Sequence, residues 1–177
     1  KPFPPITFSE KVVNTGIEMW NDVKKTQKNS DLYLSEGQVR AMRKAFYKNV
    51  TFPRMSADEA FVFLACMLQN FKFVKAAQAI IYFHLPATFF DYVKQMNRFL
   101  KSKTIQEQVY SQEFVSKYFT ITVQTKLKVL FAHLFRNPIM VSLYLGYLLF
   151  PKAMVLINRK NFEGIWTVIS TTKFLPE

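Results

Sequence analysis

Helix-start signals recur along this chain at intervals that leave room for little else. Thr7-x-x-Glu10, Ser35-x-x-Gln38 and Ser56-x-x-Glu59 fit capping boxes, and Thr88-x-x-Asp91 is the shorter acidic variant. In each, a hydroxyl can accept from a backbone N–H three residues on while the acid or amide reaches back. Each precedes an apolar run with helical spacing. Pro86, Pro138 and Pro151 punctuate the other ends, because the residue before proline is pushed out of the helical region. The pattern predicts helices near 9–28, 36–49, 57–70, 73–84, 88–101, 104–118, 123–136 and 139–149, with a last one near 161–170. Alternating strand patterns are confined to TITV at 120–123 and WTVIST near the end. The expected fold class is all-α.

The capped starts are evenly spaced. Ser56 to Thr88 is 32 residues and Thr88 to Thr122 is 34, each interval predicting a helix, a short break and a second helix. That period belongs to stacked antiparallel helical hairpins, in which one hairpin buries its apolar face only against the next. With 177 residues and no boundary in composition, a single domain over 1–177 is expected, opened by an extended segment at about 1–8. The opening KPFPP has neither a signal-peptide apolar core nor an Arg- and Ser-rich transit pattern, so any targeting segment is expected to have been removed or left out. The most hydrophobic stretch, Asn137 to Pro151, is shorter than the roughly 20 residues a spanning helix needs. It reads as a buried core helix in a protein peripheral to any membrane.

Catalytic chemistry finds no footing in the residues. His84 and His133 are the only histidines, and neither belongs to a metal-spaced cluster. Cys66, the single cysteine, lies in the apolar run FLACMLQ, which excludes an intrachain disulfide and makes the thiol a small hydrophobe. Asp58 and Glu59 read as the negative first turn of a helix. Four glycines, at 16, 37, 146 and 164, cannot assemble a phosphate-cradling loop. No catalytic, cofactor-binding or metal-ligating residue is therefore assigned, and the chain is not expected to be an enzyme.

Charge points elsewhere. The formal net charge is +12, which favours a polyanionic or acidic partner. Arg40, Arg43, Lys44 and Lys48 would share one face of the helix at 36–49, and Lys94, Arg98 and Lys101 would repeat the stripe after Thr88. Such stripes hold phosphates, acidic protein or simply water.

Residues 56–86 resemble a pentatricopeptide repeat. Ala60-Phe61-Val62-Phe63-Leu64 stands where that family's first helix begins, and Asn70 to Ile80 matches its break and second helix. The resemblance implies an α-solenoid, and it covers about one repeat well. Phe61 stands where an RNA-reading member carries a polar residue, so it can stack on a base without reading it. Val74, Gln78, Ile81 and Tyr82 replace the family's acidic outer face and, with Phe61, are the candidate protein interface. The chain also looks like the eighteen-kilodalton F1-associated subunit family of euglenozoan mitochondrial ATP synthase, in which such repeats no longer serve RNA. That resemblance implies a mitochondrial-matrix protein docked on an alpha subunit, with no catalysis and no cofactor. An organellar RNA-binding or mitochondrial ribosomal protein is the alternative.

Overall fold

The computed structural model describes residues 1–26, 40–52, 58–76 and 78–157. Seven helices lie among them: α1 (Phe8–Thr26), α2 (Lys44–Tyr47), α3 (Asp58–Leu68), α4 (Phe89–Val109), α5 (Gln112–Phe119), α6 (Val123–Arg136) and α7 (Pro138–Ile157). The chain is all-α. The described residues contain no strand, and an isolated parallel bridge pairs Pro2 with Phe83.

Local chemistry accounts for the helix starts. At α1, Glu10 N–H donates to Thr7 Oγ1 while Glu10 Oε2 accepts from the backbone N–H groups of Ile6 and Thr7, both at 2.8 Å. At α4, Asp91 N–H donates to Thr88 Oγ1. The two starts lie side by side, since Thr7 Oγ1 donates to the Ala87 carbonyl at 3.1 Å. Ser111 and Thr122 cap α5 and α6 with their hydroxyls. Asn137 closes α6 with its N–H on the His133 carbonyl and opens α7, its Oδ1 accepting from Met140 N–H at 3.3 Å. The boxes at Ser35 and Ser56 and the helix near 161–170 lie outside the described residues.

The second helix of the central hairpin does not form. Residues 71–76 and 78–88 are non-helical, although 73–84 has helical spacing. α3 ends at Asn70, whose φ of 58° is left-handed. Phe71 N–H then bonds the Cys66 carbonyl and Asn70 N–H the Met67 carbonyl, a Schellman closure sealed by Phe71 packing beside Cys66. No capping residue restarts a helix after it. The β-branched and aromatic run Ile80-Ile81-Tyr82-Phe83 suits extended backbone, and it pairs with the chain's opening segment. Phe3 N–H donates to the Phe83 carbonyl at 2.9 Å, and Phe83 N–H to the Lys1 carbonyl at 3.2 Å.

Other boundaries move too. A single α4 replaces the helix expected at 88–101 and the first part of that at 104–118, because Lys101-Ser102-Lys103-Thr104 holds neither Gly nor Pro to stop it. Residues 40–43 are not helical, so among the described residues 40–49 only α2 answers to the helix expected at 36–49, whose first part lies outside the described residues. α7 runs through Pro151 to Ile157.

The core has two parts. α3 is covered on both sides: Phe63 and Leu64 pack with Val115 and Phe114 of α5, while Phe61, Val62 and Cys66 pack with Phe46 of α2. α1 organises the other part. Val13 packs with Leu85, Tyr92, Tyr144 and Tyr147, and Val23 with Ile121 and Val129. Partners climb from Val129 to Tyr147 as α1 is followed back from Val23 to Val13, so the α6–α7 path runs against α1. Among the described residues α1 thus packs on α6 and α7, unlike a solenoid in which each hairpin meets only its neighbours.

Candidate interaction surface

The residues singled out for protein contact separate into two groups. Phe61 is core, 5% exposed, with its ring 5.8 Å from that of Phe52 and 5.9 Å from that of Tyr110. It cannot serve as a surface anchor or a base-stacking platform, because Phe46, Phe52 and Tyr110 from outside α3 cover it. Val74, Gln78 and Tyr82 are exposed and Ile81 is half-buried. They lie on the non-helical segment before α4, so they form no helix face.

The basic stripes also divide. Arg40 is half-buried with its guanidinium 3.6 Å from Glu59, whereas Arg43, Lys44 and Lys48 are exposed around the short α2. Lys94, Arg98 and Lys101 do lie at helical spacing on α4. Lys94 there sits 3.7 Å from Asp91 in the helix's own first turn.

Titratable groups serve structure. Burial pushes the Cys66 thiol up, away from a reactive thiolate. It pushes Tyr110 up to about 12, and the Tyr110 hydroxyl donates to the Phe61 carbonyl at 3.4 Å. Tyr92 and Tyr144 are raised first by burial as well. Burial would raise Glu10, but the backbone N–H groups of Thr7 and Ile6 outweigh it and hold the carboxyl below its ordinary value. His133 bonds Asp22, and His84 stacks on Phe3 with ring centroids 4.5 Å apart. Among the described residues no three metal-ligating side chains come together.

The best-formed cavity is a shallow groove of about 220 Å³ lined by Val50, Phe61, Ala65, Leu68, Val109 and Tyr110, among others. A second shallow groove, of about 600 Å³, lies around Ser111, Phe114, Lys117 and Thr120.

Apolar surface is the larger feature. Val123, Leu127, Phe131 and Phe135 recur every four residues along α6 and are all exposed, Phe135 at 88%. Ile139, Leu143 and Phe150 expose one face of α7, so α7 is not the fully buried helix its composition suggests. Among the described side chains of α7, Val141 is the large aliphatic that is wholly enclosed. No helix among the described residues is long and apolar enough to cross a membrane. The α6 stripe was legible in the sequence as a four-residue recurrence, but the same recurrence describes a core face. In comparisons with known proteins no family model matches the chain, and no curated protein or solved structure matches it.

Proposed function

We propose that this chain is a non-catalytic accessory subunit that docks on a larger mitochondrial complex. The observation that carries this reading is the balance of its apolar side chains. Among the described residues nineteen large hydrophobics are exposed, against eighteen hydrophobic residues in the core. Isolated exposed hydrophobics are ordinary, but contiguous apolar surface marks a contact. The most concrete form of the proposal is docking on the alpha subunit of the F1 head of ATP synthase, on the matrix side of the inner membrane. Val74, Gln78 and Tyr82 are exposed on a non-helical segment whose end, at Ile81 and Phe83, is tied to the chain's own opening residues, which suits a pre-formed contact surface. Affinity purification of the tagged chain from mitochondria, followed by mass spectrometry, tests the reading. Stoichiometric F1 subunits are the expected result, lost with Val74→Asp and Tyr82→Asp combined. Recovery of the chain without any large complex would reject it.

The net charge of +12 and the exposed Arg43, Lys44 and Lys48 favour a second reading, an organellar RNA-binding or ribosomal protein. It requires tight binding to RNA that weakens steeply with salt.

A further inference from the structure

Charge on the α6–α7 region has one sign only. Between Glu113 and Glu163 the sequence has no Asp or Glu, yet it has seven Lys and Arg residues. Lys126, Lys128 and Arg136 of α6 are exposed, and none of them pairs with a carboxylate of the described residues. At roughly 100° per residue, Val123, Leu127, Phe131 and Phe135 occupy an arc of about 120°, with Lys126 beyond one edge and Lys128 beyond the other. Val129 and His133, which meet α1, lie outside that arc. The helix therefore has an inner face held by the fold and a separate outer face that, Gln124 of its first turn apart, is apolar between two cations.

We propose that this outer face of α6 rests flat on an anionic phospholipid surface. Phe131 and Phe135 enter the headgroup region and the upper acyl chains, and Lys126 and Lys128 reach lipid phosphates from its margins. Interfacial helices combine these features: an apolar face with Phe and Leu, cations beside it, and backbone groups satisfied within the helix. Fourteen residues make a helix of about 21 Å, too short to span the roughly 30 Å hydrocarbon core, so it lies in the plane. A second copy of the chain is a poor occupant, because it would bring its own exposed lysines and a net +12 against the same cations. A protein groove would need shape to grip, and the two best-formed cavities of the described residues lie elsewhere, around Phe61 and around Phe114. A bilayer asks only for depth and for charge of opposite sign.

Co-sedimentation of the full chain with vesicles tests this, using phosphatidylcholine alone and phosphatidylcholine with about 30% phosphatidylglycerol. Binding to the anionic vesicles only is expected, weakened by salt. Lys126→Gln with Lys128→Gln should weaken it on the order of 20-fold, about fivefold per cation. Phe131→Ser with Phe135→Ser should weaken it at least about tenfold. Phe135→Cys labelled with an environment-sensitive fluorophore supplies a readout independent of those variants, since the native Cys66 is buried and spared. Its emission should shift to the blue with anionic vesicles, and that of a label at Lys48→Cys should not. Failure of the unaltered chain to bind anionic vesicles overturns the proposal, as does a label at position 135 that stays in water. Loss of a copurifying protein on Phe131→Ser with Phe135→Ser, without any vesicle binding by the unaltered chain, would make the face a protein interface and also overturn it.

Discussion

His133 Nε2 lies 3.0 Å from Asp22 Oδ2, joining α6 to α1 across 111 positions of chain. Hydrogen bonds from His133 and then Lys25 hold the Asp22 carboxyl below its ordinary 3.8. A carboxyl depressed in the folded state stabilises the fold above its unfolded pKa and loses that contribution as pH falls through the folded one. Asp22→Asn should therefore lower the melting temperature most above about pH 5, with the gap to the unaltered chain closing as pH drops below 3.8. The carboxylate is over a third exposed, so the effect is at most about 1 kcal/mol. A gap independent of pH would show that the pair contributes nothing.

Gly16 of α1 faces the Tyr144 ring of α7. A Cβ there would overlap the Tyr144 ring, which is itself enclosed beside Leu85 and Tyr92. Gly16→Ala should cost about 1–3 kcal/mol through overpacking, despite the higher helix propensity of Ala. Tyr144→Leu should recover part of that loss in the double variant, measured by urea denaturation. Equal losses in both backgrounds would mean that the ring moves aside freely.

The α1 cap should be worth more than the α5 cap. Glu10 accepts from two backbone N–H groups and is almost fully buried, whereas Ser111 accepts from one and is exposed. Glu10→Ala should cost about 2 kcal/mol and Ser111→Ala about 0.5–1 kcal/mol. Chemical denaturation of the two variants ranks them, and the reverse order would contradict the geometry.

Phe63 and Leu64 are wholly enclosed between α3 and α5. Leu64→Ala should cost about 2–5 kcal/mol and Phe63→Ala about 3–5 kcal/mol. Exposed Val74→Ala should stay within about 0.5 kcal/mol. A thermal melt distinguishes core from surface here, and equal behaviour of Leu64→Ala and Val74→Ala would refute the assignment of α3 as the doubly covered helix.

Removal of residues 1–5 should release the segment around Phe83, because the backbone pairs with Lys1 and Phe3 and the Phe3–His84 stack would be lost together. Limited proteolysis should then cut between 78 and 84 at least about tenfold faster. An unchanged cleavage pattern would mean that the segment holds its course unaided.

Sequence alone determined the all-α class, the starts of α1, α4 and α6 and the basic balance, because capping hydroxyls, prolines and charges act within a few residues. Thr7 with Glu10 and Thr88 with Asp91 perform their capping wherever the helices end up. The α5 start at Ser111 escaped notice because no acid or amide three residues on completes a box there. Tertiary structure decided the fate of 73–84, whose spacing permits a helix but whose backbone pairs with residues about eighty positions away. It also decided which apolar faces are covered. Phe61 and Phe131 look alike in sequence, each an aromatic residue in a capped or basic helix. One is enclosed by Phe52, Tyr110 and the rest of its cluster, and the other faces outward because α1 takes only the opposite side of α6. Periodicity fixes where side chains lie around a helix axis; only the packing of distant segments fixes which side is left without a neighbour.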